Sequence, residues 1–201
     1  LTLAGATPTI TVNALGDTKT ATISAQLAGS DGLTKSGTGT LVLSGTNTFT
    51  GALTASSGTV IINGSLGSSA NAANAATLGG SGTIAGAVSI AAGASLAPGA
   101  VGSTGALTTG SATITGTLAI NLNAVSADKL TVTGNLDISS ATLALTGTPT
   151  AQEVVIASFG SLTGSNFAST TGLPSGYQLQ IDATNKLIKL VRNPYDFWAT
   201  T

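Results

Sequence analysis

No histidine, cysteine or methionine occurs anywhere in the 201 residues. The missing imidazole removes Ser-His-Asp catalysis, a common metal ligand and the usual general base near neutral pH. The missing thiol removes cysteine nucleophiles, thiolate zinc sites and disulfide staples. Charge is nearly as scarce. Charged side chains make up 6% of the chain, against about 25% in an ordinary globular domain. A net charge of −1 and a pI of about 4.9 offer no basic surface to nucleic acid or anionic lipid. Long hydrophobic runs are lacking as well. The most apolar stretch, 85–101, is mostly Ala and Gly, is broken by Ser89, Ser95 and Pro98, and falls short of the ~20 apolar residues of a membrane-spanning helix. The chain opens on Leu1 without an Arg/Lys-led leader, as expected of a mature or trimmed product.

What is present is apolar enough to fold. Apolar residues are 42% of the chain, which separates it from disordered sequences of low hydrophobicity and high charge. The apolar residues recur with period two. Thr40-Leu-Val-Leu-Ser44, Thr117–Leu122, Lys129–Thr133, Thr142–Thr146, Tyr177–Asp182 and Lys186–Val191 all alternate, so each reads as a strand with one face inward. Thr suits the outer face, because its branched Cβ fits the pleat while its hydroxyl stays hydrated. Gly-Ser, Gly-Thr, Asn-Gly and Gly-Asn pairs between the strands are turn material. Ser69–Ala76 is the one helix-compatible segment, and a loop or single turn is expected there.

The strands repeat. Gly-Thr starts at Gly37, Gly58 and Gly82, with Gly110-Ser-Ala-Thr and Leu130-Thr-Val-Thr-Gly134 after them, recur at ~20 residues, a solenoid period. A single unit of this size cannot bury its apolar face, whereas stacked units can. The expected fold is therefore all-β, a β-solenoid of about eight to ten coils spaced ~4.8 Å apart, roughly 40–50 Å long. Between Lys35 and Asp128 there is no charged side chain, which suits stacked coils, since like charges in register repel. Both Tyr residues, the Trp and three of the four Phe residues lie after position 158. The expected organisation is a solenoid body over 1–129, a C-terminal β-rich end or cap over 130–192, and an aromatic tail over 193–201.

The segment Gly32-Leu-Thr-Lys-Ser-Gly-Thr-Gly-Thr-Leu-Val-Leu-Ser-Gly-Thr-Asn-Thr-Phe-Thr-Gly51, followed by Ser57-Gly-Thr-Val-Ile-Ile-Asn-Gly64, resembles the autotransporter-associated β-strand repeat of passenger domains in bacterial surface and secreted proteins. Leu78–Gly86, Leu96-Ala-Pro-Gly99, Asp128–Ile138 and Thr142–Leu145 resemble further parts of such passengers. The resemblance implies a right-handed parallel β-helix with a C-terminal β cap, an extracellular or cell-surface location, and a scaffold that carries no catalytic residues. A membrane-inserted translocator barrel and an enzymatic domain, which passengers often accompany, are not in the sequence.

The residues offer little chemistry of their own. Asp128 and Asp137 are the one pair of carboxylates close in sequence, and they read as a turn Asp and a solvated strand end. Asp17 and Asp31 read as turn residues. No calcium-loop pattern occurs, and Gly79-Gly-Ser-Gly-Thr83 lacks the lysine and helix of a phosphate loop. Asn63-Gly-Ser65 matches a glycosylation acceptor but reads as a turn. No catalytic residue, metal site or cofactor is expected. The aromatic tail residues Tyr195, Phe197 and Trp198 are the candidate interaction residues, because apolar rings on a terminal peptide dock somewhere. Two readings follow. One is a structural extracellular stalk, coat or self-assembling fibre subunit whose partners are other copies of itself. The other is an adhesin module that holds surface glycans on the solenoid flank. A polysaccharide-degrading enzyme is disfavoured by the sparse carboxylates.

Overall fold

Alternation in Thr40–Leu43 sends Leu41 and Leu43 inward, and both are fully buried. The same logic repeats through 22 strands in a computed structural model, which describes residues 1–5, 8–14, 19–73, 75–99 and 104–193. The first coil holds β1 (Thr9–Thr11) and β2 (Thr20–Ile23). Three full coils follow: β3 (Leu33–Ser36), β4 (Thr40–Leu43) and β5 (Thr46–Asn47); β6 (Leu53–Ala55), β7 (Gly58–Ile62) and β8 (Ser65–Leu66); β9 (Ala70–Ala72), β10 (Ala76–Gly80) and β11 (Thr83–Ile84). The next coils contain β12 (Val88–Ile90), β13 (Ser95–Pro98), β14 (Ala106–Thr109), β15 (Ala112–Ile114) and β16 (Thr117–Asn121). The last elements are β17 (Lys129–Asp137), β18 (Thr142–Thr146), β19 (Glu153–Thr163), β20 (Ser169–Thr171), β21 (Tyr177–Asp182) and β22 (Leu187–Arg192).

Each coil has three faces. Face one stacks β1, β3, β6, β9, β12 and β15 and then the second half of β17. Face two stacks β2, β4, β7, β10, β13, β16, β18 and β20. Face three stacks β5, β8, β11, β14 and then the first halves of β17 and β19. All these pairings are parallel and in register, so equivalent residues form columns along the axis. On face two the inward column runs Leu41, Val60, Leu78, Leu96, Leu118 and Leu143, every one fully buried. Each such side chain contributes about 1.5–3 kcal/mol of transfer free energy, so this column is a main source of cohesion between coils.

The Ala-rich segment 69–76 divides. Its first part is strand rather than loop: β9 places Ala70 and Ala72 in the lumen, beneath Leu53 and Ala55. The expected turn comes after it, closed by Ala76 N donating to the Ala73 carbonyl at 3.0 Å. Alanine's helix propensity yields to the packing of a narrow core, where only a small side chain fits.

Face two has eight strands and therefore seven turns, about 34 Å at the usual strand spacing. This is fewer and shorter than expected, for two reasons. Coils lengthen toward the C-terminus: Thr59, Thr77 and Ser95 are 18 residues apart, but Thr117, Thr142 and Ser169 are 25 and 27 apart. The final segment also leaves the coil path. β21 and β22 form an antiparallel hairpin, and β22 pairs antiparallel with β19. This hairpin, with buried Ile188 and Leu190, is the C-terminal cap. Of the section from Leu130, β17–β20 continue the parallel coils and β21–β22 form the cap.

Glycine is required where coils turn after face two. A Cβ built on Gly64 would meet the carbonyl oxygen of Gly45 at 2.1 Å, and one on Gly82 would meet that of Gly64 at 2.1 Å. The corner backbones approach so closely that no side chain fits between them. No helix of the described residues is long and apolar enough to cross a membrane.

Candidate functional surface

The outward positions of the strands make the surface. On face two one column carries only hydroxyls, from Thr20 through Thr40, Thr59, Thr77, Ser95, Thr117 and Thr142 to Ser169. The neighbouring outward column is small and apolar, with Val42, Ile61, Gly79, Ala97, Ala119 and Ala144. Face one presents Thr34, Thr54, Asn71, Ser89, Thr113 and Asp137. These rows exchange some bonds from coil to coil, such as Thr142 with Ser169 at 2.9 Å and Thr11 with Ser36 at 2.7 Å. The flank is thus hydroxyl-rich and almost without charge.

Relief comes from the corner after face two, where the long coils spend their extra residues. The loops 122–128 and 147–152 stack there, with Thr104 and Gly105 beside the first of them. Thr150 donates through N (2.7 Å) and Oγ1 (3.0 Å) to the Ala124 carbonyl, and Tyr177 Oη donates to the Ala151 carbonyl. Val125 is 76% exposed at the tip of the middle loop. Asn123 Oδ1 accepts from the N–H groups of Val125 and Ser126 and from Ser126 Oγ, which fixes that tip.

Asp128 lies at the base of these loops. It accepts loop N–H groups as a turn Asp does, and it is fully buried. Its Oδ1 accepts from Gly105 N at 2.9 Å, and its Oδ2 accepts from Asn121 N at 3.0 Å and Asn121 Nδ2 at 2.8 Å. Those donors compensate its desolvation and tie two loops together. Asp137 stands at the opposite end of β17, where its Oδ1 accepts from Ser139 N and Oγ. The two carboxylates therefore serve separate turns. Asp31 accepts from Gly5 N, and Asn63 Oδ1 from Ser81 N, both at coil corners. Among the described residues no three acidic side chains converge on a point. Asp17 and the tail residues Tyr195, Phe197 and Trp198 lie outside the described residues.

Two buried polar residues escaped sequence reading. Lys35 occupies an inward position of face one, in register with Ile10 and Ala55, and is fully buried. Its Nζ donates to the carbonyls of Gly37, Gly39 and Ser57, so the ammonium bridges the corner of one coil to the next. Burial pushes its pKa below the usual lysine value. Asn47 is 2% exposed in the inward column of face three. Its Oδ1 accepts from Leu27 N, and its Nδ2 donates to the carbonyls of Gly45 and Ser65. The one signal in the sequence was position: both stand on the inward side of an alternating segment.

Further charge gathers on the cap and the β19 edge beside it. Lys189 Nζ lies 2.8 Å from Glu153 Oε2 and 3.8 Å from Asp182 Oδ2. Hydrogen bonds from Asn185 hold Asp182 below the usual carboxylate range, and the Glu153 bond raises Lys189.

Residues 33–62 match the passenger-associated-transport-repeat family. A 65-residue stretch is 49% identical to the adhesin BmaC autotransporter of Brucella suis biovar 1 (strain 1330). That stretch is 32% of this chain and only 2% of the Brucella protein. The matched residues 33–62 are β3 to β7, where the inward leucine column and the glycine corners begin. The chain is a β-solenoid that carries the passenger-associated transport repeat of autotransporter passengers.

Proposed function

We propose that this chain is a non-catalytic structural segment of a bacterial surface protein, a stalk that holds other parts of its parent away from the cell. One observation carries the reading: the parallel ladder of face two runs in register through seven turns while its outward columns carry no charge and one of them holds only hydroxyls. Such a body gains rigidity from stacking rather than from a globular core. The Asp128 and Asp137 carboxylates are spent on loop and turn N–H groups, which supports a scaffold over a hydrolase. The passenger repeat supports an extracellular or cell-surface location. Assembly with other copies of itself into a coat or fibre is the finer form of this reading.

A second reading is favoured by the relative, which is called an adhesin. In that reading the stacked loops after face two, with exposed Val125, hold a glycan or a host surface. Small-angle scattering together with a glycan array separates the two. A stalk gives an elongated particle with no saturable glycan binding. Saturable binding lost on shortening loop 122–128 establishes the adhesin reading, and turnover of any glycan overturns both.

A further inference from the structure

A single asparagine in the sequence is followed by glycine, Asn63 before Gly64. In an open chain such a pair attacks itself. Glycine has no side chain to hinder its nitrogen. The Gly64 nitrogen gives up its proton to solvent and adds to the Asn63 side-chain carbon Cγ. The new N–Cγ bond closes a succinimide ring, and Nδ2 takes up a proton and leaves as ammonia. Water then opens the ring, at Cγ to give aspartate or at the Asn63 main-chain carbonyl to give isoaspartate. Water is consumed and ammonia released in equal amounts, so the step needs no oxidant, reductant or enzyme.

The fold holds both reacting groups, and in opposite directions. Gly64 N donates back to the Leu43 carbonyl of the preceding coil at 3.1 Å, beside the bond from Asn63 N to the same oxygen at 3.0 Å. Asn63 Oδ1 accepts forward from Ser81 N of the following coil at 3.2 Å. Nucleophile and side-chain carbonyl are thus tied to different neighbours. The corner also has no room to turn. A Cβ on Gly64 would meet the Gly45 carbonyl oxygen at 2.1 Å, and one on Gly82 would meet that of Gly64 at 2.1 Å. Rotation about the Asn63 ψ angle swings Gly64 out of this stack. Ile62, next in the chain, is fully buried and in register with Leu43, so the corner moves only with its strand. Solvent is not the barrier, because the Asn63 side chain is exposed.

We propose that Asn63–Gly64 is a self-modification site that the coil stack keeps shut, with water as its co-reactant. Ring closure takes place from molecules in which the corner after β7 has parted from the coils beside it. Its rate is the open-chain rate multiplied by the open fraction, the regime in which reaction is slower than reclosing. The two products differ in consequence. Aspartate keeps an acceptor for Ser81 N and adds a charge to a body that has none between Lys35 and Asp128. Isoaspartate lengthens the backbone by one carbon at a corner without room for a Cβ. That coil cannot reclose, and a transient opening becomes permanent.

The test incubates the full chain at mildly alkaline pH, in buffer and in urea, and follows Asn63 by peptide mapping with an isoaspartate assay. In urea Asn63 converts ahead of every other asparagine. In buffer its conversion is slower by about a hundredfold or more, the protection of a site reached through sub-global opening. Hydrogen exchange at Gly64 N is slowed by the same factor, because both processes wait on one opening. Ile62→Val, a small truncation in the strand beside the corner, speeds conversion and Gly64 exchange together by about 2- to 10-fold. Equal conversion in buffer and in urea overturns the proposal. So does a Gly64 amide that is protected far more strongly than Asn63, or an Ile62→Val chain in which exchange quickens and conversion does not. Slow conversion in urea refutes the chemistry itself. None of these readings depends on glycan binding or particle shape, so the proposal stands or falls apart from the stalk reading.

Discussion

Replacing Gly64 by alanine tests the corner geometry most sharply. The new Cβ would sit 2.1 Å from the Gly45 carbonyl oxygen and 2.6 Å from that of Ser44. Both are backbone atoms, so no side chain can swing away. Relief requires the two coils to part by about 1 Å at this corner, where ordinary carbon–oxygen contact begins near 3.3 Å. That movement stretches the bonds from Gly64 N to the Leu43 carbonyl (3.1 Å) and from Ser65 N to the Gly45 carbonyl (3.2 Å). Weakening two such bonds costs about 1–3 kcal/mol, and overpacking strain adds a further ~1–3 kcal/mol. The expected loss is about 2–6 kcal/mol, in the range of severe single substitutions. Gly67 is the matched control. A Cβ there meets nothing nearer than the Asn47 carbonyl oxygen at 3.8 Å, so Gly67→Ala changes stability by less than ~1 kcal/mol. Urea unfolding followed by circular dichroism measures both, with the slope m required to stay constant. Equal midpoints for the two variants would refute the claim that coil contact, rather than conformational freedom, demands glycine at position 64.

Other expectations follow from the buried polar groups and the cap. Thr109→Val stabilises the chain by about 1 kcal/mol, because Thr109 Oγ1 is buried without a partner between Ile84 and Val132; a lowered thermal midpoint would contradict this. Lys35→Met removes the donor shared by three carbonyls and costs about 1–3 kcal/mol in urea unfolding. Lys35 also has a depressed folded-state pKa, so the unfolded chain holds the proton more tightly. Stability therefore rises as pH increases from the folded value toward 10.5, a slope that Lys35→Met lacks. Lys189→Ala lowers the urea midpoint only slightly, and that small difference largely disappears in 1 M salt, because the Glu153 partner is half exposed.

The strands and their stacking were legible because they depend on a local pattern. Period-two alternation locates β4, β16, β18, β21 and β22 directly, and the ~20-residue recurrence of Gly-Thr starts gives the coil. Strand β9 within the segment 69–76 was not legible because Ala and Asn carry no strand signal locally, and only the narrow lumen selects Ala70 and Ala72 as strand; the turn that closes with Ala76 N on the Ala73 carbonyl was legible. The expected coil number is too high because a constant period hides the loops 122–128 and 147–152 of the longer coils. Asp128, Lys35 and Asn47 were illegible for a related reason. Their partners are backbone groups of other coils or loops, such as Ser57 and Gly105, and backbone donors and acceptors leave no mark in a sequence.

Cysteine pairs measure the stacked register itself, and the chain has no native cysteine to interfere. Thr59 and Thr77 are direct register partners on face two, and Ser95 stands one coil beyond Thr77. Paired positions ~4.8 Å apart fall within the reach of a disulfide, whereas two coils span ~9.6 Å and do not. The Thr59→Cys/Thr77→Cys chain is predicted to oxidise to an intramolecular disulfide under mild conditions while the Thr59→Cys/Ser95→Cys chain stays reduced. Crosslinking of the second pair as readily as the first, or of neither, would contradict the in-register parallel solenoid on which the account rests.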